Sequence, residues 1–266
     1  MADEKPVNLL AINIGNTRTQ LGTFASGQLE NTEVFSNSNP DIAEYLKRAY
    51  EPIRDAADAI VVLASTCSEQ ADLMSNAVNS VLDMGVVRIE EDVVVPIGRQ
   101  LDPEAIVGQD RLLNAAAAFD VMRQACVVVD AGTAVTVDFV DGVGTFHGGA
   151  IVCGARMMLD ALGKNAAQLP MVELEKPSEL IGHSTVEAMR CGVFYGIRGI
   201  VRELVEQYAE VAGTFPVVVA TGGDGEFLFG DYQLVDRVVP DLTLLGMKLA
   251  LAGPKKSNLD VDREES

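Results

Sequence analysis

Three stretches of this chain carry side chains that could bind phosphate and move a proton. The first is Asn13-Ile14-Gly15-Asn16-Thr17-Arg18-Thr19-Gln20, which follows the apolar Leu10-Ala11-Ile12 and resumes as Leu21-Gly22-Thr23-Phe24. The second is Asp130-Ala131-Gly132-Thr133-Ala134-Val135-Thr136, which follows Cys126-Val127-Val128-Val129. Glycine lets backbone amides come close to an anion, and small hydroxyl and amide side chains add donors. Both stretches therefore read as strand–turn–strand units suited to phosphate, although a plain hairpin turn looks the same. The third stretch is Gly108-Gln109-Asp110-Arg111. Asp110 stands where a loop enters an alanine-rich helix, at the end of the dipole that favours negative charge. A carboxylate there can orient a hydroxyl and accept its proton, and a guanidinium fork can hold an anionic group. Each also has a plain structural reading, Asp110 as a dipole-stabilising acid and Arg111 as a salt-bridge partner.

The two turns match in register. Asn13 on Asp130 and Gly15 on Gly132 share an offset of 117 residues (130 − 13), which also sets Thr19 on Thr136. Hairpin signals follow both, Ser26-Gly27 and Asp141-Gly142. Two such units half a chain apart point to a duplicated domain with a nucleotide held between the halves.

The elements that must position these turns alternate between strand and helix. After the first hairpin, Asn39-Pro40-Asp41 opens a helix to Tyr50, residues 59–64 read as a buried parallel strand, and residues 68–82 as a helix. A short strand at 86–89 precedes an irregular stretch, 93–107, which leads into Gly108 and a helix to about Gln124. In the second half the hairpin is read to Gly148-Gly149, followed by a strand at 150–152 and a helix at 156–168 closed by Leu169-Pro170. Ser184-Thr185-Val186-Glu187 is a capping box that starts a long helix to about Val211. A buried strand at 216–220 exits through Thr221-Gly222-Gly223-Asp224-Gly225, and a last helix spans 242–251. The expected domains are 7–124 and 125–252, with the charged tail 253–266 disordered.

Composition narrows the function. The 266 residues suffice for two packed lobes, and with 48% hydrophobic residues and no Trp the core should be aliphatic. A net charge of −19 argues against nucleic acid as a partner. It leaves room for a small anionic substrate held by local arginines and backbone amides. Cys67, Cys126, Cys153 and Cys191 have no C-x-x-C spacing and read as buried free thiols, not a zinc site. The leader 1–6 is charged and unlike a signal peptide, and no apolar run is long enough to span a membrane, so a cytoplasmic protein is expected.

Taken as a series, the motifs resemble the type III pantothenate kinase family, of the acetate kinase, sugar kinase, Hsp70 and actin superfamily. The family's D-x-G-N-T is matched by Asn13-Ile14-Gly15-Asn16-Thr17, its G-x-D-R by Gly108-Gln109-Asp110-Arg111, and its D-x-G-T-A-x-T by Asp130 to Thr136. Gly148-Gly149, Leu169-Pro170, Thr185 with Glu187, and Thr221-Gly222-Gly223 follow in the family's order, so the similarity runs from about Leu9 to Gly246. The resemblance implies an α/β fold of two duplicated ribonuclease-H-like lobes and phosphorylation of pantothenate by ATP with magnesium, the first step towards coenzyme A. It implies Asp110 as base, and Gly108, Gln109, Asp110, Arg111 and Thr185 as the pantothenate site, with Thr185 reaching across from the neighbouring subunit of a homodimer. It further implies nucleotide contacts from residues 13–20, Gly132, Thr133, Gly222 and Gly223, and a monovalent cation, potassium or ammonium, at Asp130. Thr136 reads as bonding its own backbone, Ser184 as a helix cap, and His147 and His183 as structural.

Three departures from the family pattern stand out. Asn13 replaces the acid of the first motif, which is expected to work through magnesium. Cys153 stands where the family's G-G-x-I-x-P-G has proline, and Arg99, Gln100 and Leu101 occupy the neighbourhood of an upstream tyrosine. Asn13 gives physical ground to an alternative: a catalytically weak relative that binds nucleotide or pantothenate and acts as a regulator, a role with which the family has been linked in transcription. A different small-molecule kinase or phosphatase of the superfamily is disfavoured by Gly-x-Asp-Arg and Thr185.

Overall fold

The computed structural model describes residues 7–39 and 41–252. The leader and the tail 253–266, expected to be disordered, lie outside the described residues. The chain divides into two compact units. Of the described residues, one unit holds those up to Pro96, Ile106–Ala117 and 243–252; the other holds Ile97–Ala105 and Ala118–Leu242.

In the first unit β1 (Leu9–Ile14), β2 (Arg18–Ala25) and β3 (Gln28–Ser36) form an antiparallel meander. Helix α1 (Ile42–Tyr50) leads to β4 (Ile60–Ser65), and α2 (Ser68–Leu82) leads to β5 (Val86–Arg88); both strands join parallel to β1. The sheet order is β3-β2-β1-β4-β5. β1 and β4 are central and covered on both faces, which is why they read as continuous apolar runs. One face packs Leu10, Ile12 and Leu21 against Leu46 and Ala49 of α1 and Met74 and Val78 of α2. Helix α3 (Gln109–Met122) starts in this unit.

The second unit opens with a two-residue strand, β6 (Gly98–Arg99), inside the stretch expected to be irregular. Strands β7 (Cys126–Ala131), β8 (Ala134–Val140) and β9 (Thr145–Cys153) make its meander. Helices α4 (Ala155–Asn165) and α5 (Thr185–Ala212), β10 (Val217–Thr221), α6 (Gly225–Phe229) and β11 (Arg237–Val238) follow. Its sheet order is β11-β10-β7-β8-β9-β6. Without the edge strand β6 it repeats the first sheet strand for strand and direction for direction, the duplication that the matching turns imply.

Register corrects the alignment of the two turns. Asn13 pairs with Gln20, whereas Asp130 pairs with Thr136. The second turn is one residue shorter, so the offset drops from 117 to 116 (136 − 20) across it, and Thr136 corresponds to Gln20, not to Thr19. Two boundaries also move. The strand expected at 150–152 is the end of an unbroken β9, and α4 stops at Asn165, whose side-chain amide donates to the Ala161 carbonyl (2.8 Å).

The last helix, α7 (Leu242–Leu251), packs in the first unit from Thr243 onward, although the expected second domain 125–252 included it. Thr243 Oγ1 donates to Asn114 Oδ1 (2.7 Å), a buried bond linking it to α3. Gly246 lies so close to the Leu113 backbone that a Cβ there would overlap the carbonyl oxygen. Gly246→Ala must push α7 off α3, which should cost about 1–3 kcal/mol of stability, as overpacking does. Urea unfolding of the two proteins checks this; equal midpoints would contradict the close packing.

Candidate functional site

The first turn is closed by its own backbone. Gly15 N donates to Arg18 O (3.0 Å), and Asn37 N, just past β3, donates to Thr17 O (3.1 Å). The Asn37 side chain adds more: Nδ2 donates to Gly15 O (2.8 Å) and Gln70 Oε1 (3.4 Å), and Oδ1 accepts from Thr19 Oγ1 (2.9 Å). Asn16, Thr17 and Arg18 are left exposed at the tip, Thr19 is buried, and Asn13, Gly15 and Gln20 are half-buried. Ile14 is buried and packs in the unit's core. Nothing in residues 13–20 signals Asn37; a Ser-Asn-Ser-Asn run after a strand reads only as a loop.

The second turn has the same wiring. Gly132 N donates to Ala134 O (2.9 Å), and Gly154 N, just past β9, donates to Thr133 O (3.0 Å). Where Asn37 uses a side chain, Gly154 has none. The exit of β10 closes the other side, since Asp224 N donates to Ala131 O (2.9 Å). Gly222 adopts φ +88°, and a Cβ there would overlap both Ala131 O and Asp130 Oδ1. Glycine is thus required by conformation and by space. Gly223 is exposed beside it. Thr136 does not bond its own backbone as expected: its hydroxyl is buried without a hydrogen-bond partner, directly across the ladder from Asp130. Asp224 is 6% exposed, and Arg156 Nη1 holds both its oxygens (2.6 and 2.7 Å).

Gly108-Gln109-Asp110-Arg111 lies at the start of α3. Gln109 Oε1 accepts from Ser65 N (3.2 Å), tying the helix start to the end of β4. Asp110 Oδ1 accepts from Arg111 N (2.9 Å), so the carboxylate curls over the helix terminus. A pocket of about 370 Å³ reaches Gly108 and Gln109 but is not lined by Asp110 or Arg111; Ser65, Thr66 and Ser68 complete it together with Arg88, which is braced by Asp72 (2.7 Å) and Glu91 (3.5 Å). Arg99 and Gln100 belong to the other unit, where β6 pairs with β9 and Gln100 N donates to Phe146 O (3.0 Å).

Thr185 is exposed in the first turn of α5. Only half of the capping box forms. Ser184 Oγ accepts from Glu187 N (3.2 Å), but the Glu187 carboxylate takes the Ser178 amide and hydroxyl and Arg190. Those bonds, the Ser178 amide foremost, hold it below the usual carboxylate range. Of the thiols expected to be buried, Cys126 is, and burial pushes it up to about 12, whereas Cys67 and Cys153 are exposed. His147 Nε2 bonds Asp141 Oδ2 (2.8 Å) in the β8–β9 hairpin, and His183 lies 3.2 Å from Glu179.

This repeated sheet topology recurs in solved structures. A Baf family protein from Campylobacter jejuni matches with a TM-score of 0.60 at 19% identity, over 91% of this chain and 97% of that one. The ethanolamine utilization protein EutJ from Carboxydothermus hydrogenoformans matches with 0.52 at 14%, over 93% and 91%. The fold is a duplicated ribonuclease-H-like α/β architecture. Sequence narrows the class. The model of the type III pantothenate kinase family matches residues 9–207, and the chain belongs to that family. Proteins named type III pantothenate kinase from Frankia alni and Syntrophotalea carbinolica are 32% and 31% identical, each over 91% of this chain and 97% of its own. One from Parafrankia is 35% identical over 91% and 96%.

Asn37 is the residue on which the first turn's shape depends. Asn37→Ala removes three side-chain hydrogen bonds. At a net 0.5–1.5 kcal/mol each, it should cost about 1.5–4.5 kcal/mol and weaken ATP binding by roughly 4- to 40-fold if half of that loss falls on the bound turn. Calorimetric titration with ATP measures this, and unchanged affinity would remove Asn37 from the site.

Proposed function

We propose that this chain transfers the γ-phosphoryl group of ATP to the primary hydroxyl of pantothenate, the first step towards coenzyme A. The observation that carries the reading is the pocket lined by Gly108 and Gln109, the residues just before Asp110, in a chain of the type III pantothenate kinase family. Pantothenate occupies that pocket, with Arg111 taking its carboxylate. The second Asp110 oxygen orients the hydroxyl and receives its proton as the oxygen attacks the γ-phosphorus and ADP leaves. Gly15, Asn16, Thr17 and Arg18 in one unit, and Gly132, Thr133, Gly222 and Gly223 in the other, are phosphate and nucleotide contacts, because each turn presents small donors on a backbone its own bonds hold fixed. A product of pantothenate plus one phosphoryl group, formed only with ATP and detected by mass, tests the reaction; none at any ATP concentration would refute it.

Two ions enter this reading. A monovalent cation suits Asp130, because the orphaned Thr136 hydroxyl across the ladder supplies a second oxygen and Gly222 keeps space at the carboxylate. It would offset negative charge on the nucleotide. Magnesium arrives with the nucleotide phosphates, and position 13 offers it an amide oxygen in place of a carboxylate. That deficit supports the second reading, a weakly active member that acts as a binding regulator.

A homodimer follows from Thr185, which serves the pocket only from a neighbouring subunit. Its surroundings are unusually apolar for a surface: Leu180 and Ile181 are 72% and 70% exposed. On α5, Gly192, Gly196 and Gly199 leave open space where side chains would stand. Light scattering should give twice the chain mass, and a fully active monomer would contradict the composite pocket.

Two substitutions test the chemistry. Asp110→Asn keeps shape but cannot take the proton, so turnover should fall about a hundredfold or more with pantothenate affinity nearly unchanged. Turnover within a few-fold would free Asp110 of that role. Asn13→Asp returns a charged magnesium ligand and should raise turnover by ~10-fold if ~1.4 kcal/mol of transition-state stabilisation returns, most at low magnesium. Overlapping magnesium–rate curves would show that Asn13 is no deficit.

A further inference from the structure

We propose that Arg156 is a phosphate ligand of the nucleotide, set in place by Asp224. The second turn has no cation of its own: residues 126–140 contain neither Lys nor Arg, whereas the first turn carries Arg18. Arg156 stands two residues beyond Gly154, whose amide braces Thr133 O, and its partner Asp224 braces Ala131 O through its own amide. The pair therefore joins the first turn of α4, just past β9, to the loop leaving β10, and both segments hold the second turn.

Burial divides the pair unevenly. Asp224 is 6% exposed and has both oxygens on Arg156 Nη1, while the Arg156 side chain is 60% exposed. A buried carboxylate left without a partner is costly, so Asp224 fixes one edge of the guanidinium. The other edge, Nε and Nη2, makes no hydrogen bond among the described residues. A planar fork anchored at one edge and open at the other suits a phosphate, because less of its mobility is lost when the anion binds. The assignment rests on reading Gly132 and Thr133 as phosphate contacts.

The test measures binding without turnover, so a failure of pantothenate phosphorylation in the parent would count against the proposed activity and leave this test intact. Affinities for ATP, ADP and adenosine are measured by displacement of a fluorescent ADP analogue from the parent, from Arg156→Gln and from Arg156→Lys. Arg156→Gln paired with Asp224→Asn adds a variant in which neutral amides replace the ion pair and no buried charge is stranded. Loss of hydrogen bonds to a charged ligand should weaken ATP and ADP by roughly 10- to 100-fold in Arg156→Gln and in the double variant. Adenosine should stay within about 2-fold, and Arg156→Lys should recover part of the loss, since it keeps the charge but not the fork. Equal weakening of all three ligands, or unchanged ATP affinity in the double variant, would overturn the assignment and leave Arg156 a brace between α4 and the loop leaving β10.

Discussion

Both turns depend on one backbone hydrogen bond, made twice. The first residue past the third strand of each meander donates its amide to the carbonyl inside the turn, Asn37 to Thr17 and Gly154 to Thr133. That bond fixes where the third strand ends relative to the turn, and the turn's own closure, Gly15 to Arg18 or Gly132 to Ala134, fixes the glycine amide. A phosphate needs amides already aimed, since donors that reorganise on binding lose much of their advantage. The sheets supply the rigidity: β1 and β7 are each flanked by an antiparallel and a parallel neighbour.

Duplication gives two such turns, and the two differ in charge and length. The first keeps an arginine at its tip and an asparagine behind it, but has lost the carboxylate of position 13. The second keeps its carboxylate, Asp130, is one residue shorter, and has glycines where its neighbouring loops press in. Charge is therefore distributed differently in the two units: a cation beside an amide in one, a carboxylate beside an orphaned hydroxyl in the other. The proposed proton acceptor, Asp110, lies outside both turns, on a helix start that Gln109 ties to β4.

Much of this was legible in the sequence because it is local. The strands, α2, α5, and the motifs around Gly15, Asp110 and Gly132 are set by apolar runs, helix starts and glycines within a few residues of one another. What was not legible lies at long range or in single-residue shifts. Asn37 acts on a turn twenty residues earlier, and Arg156 meets Asp224 across 68 positions. Thr243 meets Asn114 across 129, so α7 could not be assigned to its unit by proximity in the chain. The offset of 117 fitted glycine and threonine in one frame, yet the ladder pairs Thr136 with Asp130 and Gln20 with Asn13. Composition could not tell one frame from the other, because a turn can drop a residue without changing its residue types. The exposed Cys67 and Cys153 belong here too, since each sits at the exit of a strand where apolar character no longer means burial.

The central proposal is that the turns around Gly15 and Gly132 contact nucleotide phosphate and that the segment at the start of α3 contacts pantothenate. Amide hydrogen exchange with and without each ligand tests it most directly. With ATP and magnesium, peptides covering residues 9–24 and 126–140 should both slow, and residues 104–113 should slow only when pantothenate is added. Protection of one turn without the other, or slowing of the Asp110 segment by ATP alone, would contradict the account.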